Sequence, residues 1–99
     1  MKFLVMLTPS AGKTLDDFMP HMVPEIEAVW ASYLDDELRE FYFSADPQVV
    51  TLIYELPSID AVHTAVDALP MVKVGLLDRQ VVHLGPFHQI AALFAKPGA

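Results

Sequence analysis

Hydrophobic and polar positions follow two different periods along the chain, and each period predicts one kind of element. A short apolar run predicts a β-strand at residues 2–8, and segments bounded by turn and breaker residues predict strands at residues 38–43, 48–55 and 77–84. Apolar residues at three- and four-residue spacing predict a long helix after Thr14 and a second helix after Ser58, because both residues are good N-caps. Pro20 and Pro24 interrupt the first pattern, so we expect a bent helix or a turn that leads into another helix.

The predicted order, β-α-β-β-α-β followed by a tail, defines the fold class. It is the order of a ferredoxin-like α+β sandwich, in which a four-stranded antiparallel sheet carries both helices on one face. We therefore expect residues 1–99 to form a single domain, since 99 residues are enough for one domain and too few for two.

The predicted strands are apolar on both faces, which bears on assembly. In the first strand Phe3 and Val5 oppose Leu4 and Met6, so neither face is polar. The helices cover one face, and we expect a second copy to cover the other, giving a homodimer or a higher even oligomer whose two sheets enclose an α/β barrel. The alternative is a tail, residues 86–99, that packs on its own barrel; the tail can also pack on a neighbouring subunit.

The composition supports association with a second copy of the chain and argues against nucleic acid and membrane partners. Hydrophobic residues make up 54% of the chain and charged residues 19%, more apolar surface than one small domain hides. The formal net charge of −7 and the lack of a basic cluster argue against nucleic acid. No apolar run reaches the length of a membrane span, so we predict a cytoplasmic protein without a membrane partner.

Cofactor chemistry finds no support in the sequence. The chain has no cysteine, and the spacing of its four histidines matches no zinc pattern. Gly12-Lys13-Thr14 ends like a phosphate-binding loop, but Leu7 stands where such a loop needs its first glycine. We expect neither a metal nor an organic cofactor.

One long stretch resembles a known family. Residues 58–87 read SIDAVHTAVDALPMVKVGLLDRQVVHLGPF. Its Val62-His63-Thr64 element and its Leu69-Pro70 pair, together with the hairpin of the second and third strands, resemble the muconolactone isomerase group of dimeric α/β-barrel proteins. The resemblance implies a fold that hosts many functions, and an enzyme that moves a proton around an unsaturated lactone ring without a cofactor.

Proton transfer next to a carbonyl needs a base, an acid and a pocket that excludes water. By resemblance, Glu27 lies where the family carries a glutamate, although its neighbours place it on the solvent side of the helix. Tyr42 and Tyr54, on adjacent strands, carry phenols that can donate to a ligand oxygen. His83 in the last strand either lines the barrel with Arg79 or is a structural histidine on the helix face. His83, Glu27, Tyr54 and Tyr42 are the candidate catalytic residues.

Four further residues are candidate ligand contacts. Arg79 alternates onto the same face as His83 and suits an acidic ligand. His63 aligns with a family histidine, although a half-packed surface histidine is the simpler interpretation. Trp30 belongs to the apolar stripe of the first helix, and Thr51 lies on the third strand.

These observations leave three functions open. The first is a small cofactor-free enzyme that isomerises an unsaturated lactone or cyclic acid by proton transfer. The second is a non-catalytic module for binding a small molecule or for assembly, and the third is a cofactor-independent monooxygenase of the same fold. In each case the expected ligand is a small apolar or acidic organic molecule.

Overall fold

The computed structural model describes residues 1–95 of the chain. The elements, in chain order, are β1 (Lys2–Pro9), α1 (Leu15–Phe18), a 3-10 turn (Met19–His21), α2 (Met22–Leu34), β2 (Leu38–Ala45), β3 (Gln48–Glu55), α3 (Ile59–Asp67), α4 (Pro70–Lys73), β4 (Leu77–Leu84) and a 3-10 segment (His88–Leu93).

The four strands form one antiparallel sheet in the order β2-β3-β1-β4. With α2 and α3 packed on one face of this sheet, the predicted ferredoxin-like α+β fold is confirmed. Among residues 1–95, no helix is both long and apolar enough to cross a lipid bilayer.

The prolines explain the shape of the first helical region. Pro20 lies at the start of the 3-10 turn and Pro24 in the first turn of α2, where a missing backbone N–H removes little helical hydrogen bonding. Of the two expected arrangements, the structure has the turn that leads into another helix. Pro70 likewise opens α4, a short helix in a region that the sequence pattern predicts as the end of a helix and a connection.

Strand register decides which side chains face the helices. Phe3 of β1 lies opposite Tyr54 of β3 and His83 of β4, and Leu7 lies opposite Arg79. Directly opposed residues share a face, so these side chains all point to the helix side. The buried core lies there and consists of Phe3, Val5, Leu7, Leu38, Leu52, Tyr54, Val62, Val66 and Leu69.

The other face of the sheet, which we call the open face, carries apolar side chains that no helix of the described chain covers. Ile53, Leu4 and Val82 form a row across β3, β1 and β4, and Thr51 and Met6 begin the next row. Along this row Val82 keeps 36% of its surface exposed and Leu4 is half-buried, whereas Ile53 keeps only 8% exposed. An apolar row of this kind on a strand face is typical of a surface that packs against another layer.

The tail leaves the sheet at the end of β4 and projects from it. The longest dimension of the molecule is 64 Å and its radius of gyration is 17.1 Å, whereas a compact chain of this length has a radius near ~13 Å. Phe87, Ile90, Leu93 and Phe94 are exposed, Phe94 by 77%. Residues 86–95 therefore leave these side chains in solvent, and residues 96–99 of the predicted tail lie outside the described residues.

Candidate active site

A cavity of about 520 Å³ lies between the α1–α2 region and the helix side of the sheet. Most of its lining is apolar, and the polar side chains in it are Lys13, Thr14, Glu25 and Gln48. The apolar lining residues are Leu7, Pro9, Leu15, Phe18, Met22, Ile26, Val29, Trp30, Phe41, Phe43, Val49, Val50, Met71 and Leu77.

The cavity exists because α2 does not close down on β2. The stripe of α2 points at the sheet, yet Trp30 stays 51% exposed, and Phe43 on the facing strand stays 67% exposed. Trp30 and Phe43 thus line a gap instead of packing together, and the two elements meet farther along β2, where Tyr33 packs against Phe41. A concave, mostly apolar gap with a few polar groups has the character of a small-molecule site.

Glu25 is the charged side chain that α2 buries, with only 8% of its surface exposed. Its Oε1 accepts a hydrogen bond of 2.9 Å from the backbone N–H of Met71 in α4. Burial raises the pKa of the Glu25 carboxyl above its ordinary value of 4.5, while the Met71 N–H and the charge of His21 pull it back. The carboxyl is therefore held in place but poorly solvated.

The second oxygen of Glu25 is available to a ligand. Oε2 makes no hydrogen bond with the side chains and backbone of residues 1–95. It is also not completely buried, because no fully buried side-chain oxygen or nitrogen of these residues lacks a partner. Glu25 is one of the residues that line the cavity, and Oε2 is not sealed off by the protein. One oxygen positions the group, and the other can accept a proton from a bound molecule.

The sequence pattern predicts that Glu27 and its neighbours lie on the solvent side of the first helix, and for the neighbouring Glu25 this prediction is wrong. Met22, Glu25, Ile26 and Val29 are spaced by three or four residues and so share one helix face. Glu27 lies off that face and is exposed. The helical spacing of Glu25 with the apolar stripe was the signal that could have identified it.

Tyr54 is fully buried in the core rather than in the cavity wall. Burial raises the pKa of its phenol to about 12, with smaller contributions from the negative charges of Glu25 and Glu37. Tyr54 is therefore a neutral phenol across the physiological range.

Arg79 and His63, two predicted ligand contacts, are brought together with Asp67 at the edge of the sheet. Arg79 donates to His63 Nδ1 at 3.2 Å and forms an ion pair with Asp67. Because a guanidinium can only donate, Nδ1 of His63 accepts, and a neutral ring then carries its proton on Nε2. These contacts tie α3 to β4, and none of the three residues lines the cavity.

The other predicted site residues are dispersed. His83 faces the helix side but is exposed, with its ring 4.9 Å from that of Phe3. Tyr42 and Thr51 lie opposite each other on the open face, where Tyr42 donates to Glu40 at 2.6 Å. Trp30 is the one predicted site residue that lines the cavity.

Two further features of residues 1–95 bear on where a site can lie. No group of three or more His, Asp or Glu side chains among residues 1–95 is placed to hold a metal ion. A second recess, of about 360 Å³, lies near the start of α3, and its titratable lining residue, Glu37, is exposed. Only the larger cavity combines an apolar wall with a buried carboxyl.

The Arg79 cluster gives a prediction about stability. Replacing Arg79 by methionine keeps the apolar stem but removes the contacts to His63 and Asp67, so the free energy of unfolding should fall by about 1 kcal/mol. Arg39→Met is the matched control, because Arg39 pairs only with nearby Asp36 on the surface. Urea unfolding followed by circular dichroism measures both, and equal losses would contradict a clamp between α3 and β4.

Glu25 gives a prediction about pH. A carboxyl whose pKa is raised on folding destabilises the folded state once it ionises, so its penalty is absent well below pH 4.5 and grows as pH rises through the folded pKa. Glu25→Gln keeps an oxygen for the Met71 N–H and should become more stable than the wild type toward neutral pH. Urea unfolding at pH 3.5 and pH 7 tests this; an advantage that shrinks with rising pH would contradict it.

Comparisons with known proteins agree with the fold. No protein-family model and no curated protein matches the sequence. A solved structure of 5-chloro-2-hydroxyhydroquinone dehydrochlorinase from Burkholderia phenoliruptrix AC1100, in complex with 2,5-dihydroxybenzoquinone, has a TM-score of 0.71 and 21% identity, over 86% of this chain and 94% of that one. Muconolactone isomerase has a TM-score of 0.70 and 20% identity, over 89% of this chain and 92% of that one. The predicted resemblance to the muconolactone isomerase group is confirmed for the fold, which this chain shares with both of these structures.

Proposed function

We propose that this protein is a small cofactor-independent enzyme that moves a proton on an unsaturated lactone or cyclic acid, with Glu25 as the base. The observation that supports this most directly is the buried Glu25 carboxyl, which belongs to the lining of an apolar cavity and has one oxygen fixed by the Met71 N–H. A carboxylate of raised pKa is a stronger base than an exposed one, and its protonated form is still acidic enough to protonate an enolate carbon.

The reaction consists of two proton transfers. Glu25 Oε2 takes a proton from a ring carbon that is next to a carbonyl or joined to it through a C=C bond, and the electron pair of that C–H bond moves toward the carbonyl to give an enolate. The protonated Glu25 then returns the proton to a different ring carbon, which shifts the double bond and regenerates the carboxylate. Lys13 and Thr14, on the cavity lining, are the groups able to stabilise the enolate oxygen, and Trp30 contacts the ring.

The names of the two structural neighbours are compatible with such a base. Isomerising an unsaturated lactone and removing hydrogen chloride from a chlorinated hydroquinone both require the removal of a proton from a ring compound. Roles for His83, Glu27, Tyr42, Tyr54, Arg79, His63 and Thr51 in a site stay predictions, and so does a cytoplasmic location.

Assembly is a separate part of the proposal. Two copies pack with their open faces together, giving a homodimer or a higher even oligomer, and the exposed apolar side chains of the tail pack on a neighbouring subunit. The row of Ile53, Leu4 and Val82 and the exposure of Phe87 and Phe94 support this arrangement.

Solvent exchange tests the proposed reaction. The protein is incubated with muconolactone in D₂O, and NMR follows deuterium entering the ring against a protein-free control. Exchange above the control supports proton transfer. Binding without exchange would instead favour the non-catalytic module, and oxygen uptake with a hydroquinone would favour the monooxygenase.

A further inference from the structure

The cavity at Glu25 has more room than a single small ring needs. Its volume is about 520 Å³. For scale, an apolar protein cavity of about 150 Å³ is enough to bind benzene. The 2,5-dihydroxybenzoquinone named with the dehydrochlorinase is a single ring, so the cavity of this chain exceeds what a ligand of that size fills.

Aromatic side chains give the cavity two facing walls. Trp30 stands on α2, and Phe41 and Phe43 stand on β2. Tyr33 links the walls, because its ring lies 5.3 Å from that of Trp30 and packs edge-on against Phe41 at 5.4 Å. Aromatic contacts of this geometry are favourable, so Trp30 and Phe41 are held in place without a ligand. Rings on opposing walls suit a flat, extended ligand.

The few polar groups in the cavity lining indicate which polar atoms a ligand should carry. Lys13, in the loop between β1 and α1, is the cation of the described lining, and Gln48 adds an amide from the start of β3. An anionic oxygen of the ligand can pair with Lys13, while the flat apolar body contacts the aromatic walls.

We infer that the cavity takes fused compounds of two or three rings, aromatic or partly unsaturated, that carry a carboxylate or phenolic oxygen. This substrate class rests on the proposed function for the role of Glu25, but the size of the ligand follows from the cavity alone. Single-ring compounds bind more weakly because they leave part of the aromatic surface uncovered.

A series of hydroxy acids with one, two and three fused rings tests the size. The probes are 2-hydroxybenzoate, 3-hydroxy-2-naphthoate and 3-hydroxyanthracene-2-carboxylate, each titrated into the wild-type protein by calorimetry. Each added ring should tighten the Kd roughly five- to tenfold, because it buries roughly 40–50 Å² more apolar surface. A Kd that does not fall with ring number, or no binding by any probe, would overturn the inference.

A pair of variants, one that adds bulk inside the cavity and one that adds the same bulk elsewhere, tests where the probes bind. Ile26 lines the cavity and Ile59 on α3 does not, and both are exposed, so Ile26→Phe and Ile59→Phe add the same bulk at different places. Ile26→Phe should weaken the three-ring probe about tenfold and the one-ring probe less than about twofold, whereas Ile59→Phe should change neither. Equal effects of the two variants would place the probes outside this cavity.

The inferred size of the ligand and the proposed role of Glu25 are contradicted by different experimental results. 6-Hydroxy-2-tetralone, a two-ring ketone that carries a phenolic oxygen and exchangeable C–H protons, is added in D₂O to the wild type and to Glu25→Gln. Binding without exchange overturns proton transfer but leaves the size class standing. Exchange of muconolactone together with failure of the fused-ring probes to bind overturns the size class alone.

Discussion

Replacing Glu25 by glutamine should slow the exchange of muconolactone ring protons with D₂O by about 10²- to 10⁴-fold, the usual contribution of a positioned base. Glutamine has nearly the same shape and keeps an oxygen for the Met71 N–H, so the cavity should retain its form. What it loses is the capacity to hold a proton on the oxygen that faces the ligand. The exchange rate by NMR, at saturating muconolactone, measures the loss.

Glu27→Gln is the control for this experiment. Glu27 lies two residues away on the same helix and is exposed, so its replacement removes the same charge without touching the cavity. Its exchange rate should stay within about twofold of the wild type. Loss of exchange in Glu27→Gln with retention in Glu25→Gln would move the base to the position that the family resemblance implies.

Replacing Leu4 by lysine should convert the assembled protein into monomers. Leu4 is at the centre of the apolar row on the open face, between Ile53 and Val82. A charge buried there between two sheets, without a partner, costs several kcal/mol and should weaken association by about 100-fold or more. Light scattering should give an even multiple of the 11.0 kDa chain for the wild type and one chain mass for the variant.

Thr8→Lys separates the effect of position from the effect of charge. Thr8 lies on the same strand and the same face as Leu4, but at the end of the sheet opposite Asp78, where a lysine remains solvated. This variant should keep the wild-type mass. A wild-type protein of 11.0 kDa would contradict packing through the open face, whatever the variants do.

Much of the fold could be predicted because it depends on local patterns. The strand boundaries followed from apolar runs, and Ser58 was recognisable as a cap, with its Oγ accepting from the Ala61 N–H at 3.1 Å. The short helix α4 was missed because four residues after a proline carry almost no periodic signal.

The candidate site was harder to predict, because it depends on how far apart elements stand. Nothing in the pattern of α2 distinguishes a stripe that packs on a sheet from one that lines a gap, so Trp30 was interpreted mainly as a packing residue. The face of His83 depends on the pairing of β4 with β1, which alternation within β4 alone does not settle. Glu25 was passed over because a carboxylate is most often solvated, although its spacing put it among apolar residues.

The donor that fixes Glu25 belongs to the main chain of Met71, 46 residues along the sequence. Every amino acid except proline supplies that N–H, so the orientation of the carboxyl does not depend on which side chain stands at position 71. The Met71 side chain is buried and lines the cavity, so position 71 needs an apolar residue for packing but no particular one to orient the carboxyl, while position 25 must remain glutamate. A mutational scan of exchange activity should show this asymmetry: apolar replacements tolerated at position 71 and no replacement tolerated at position 25.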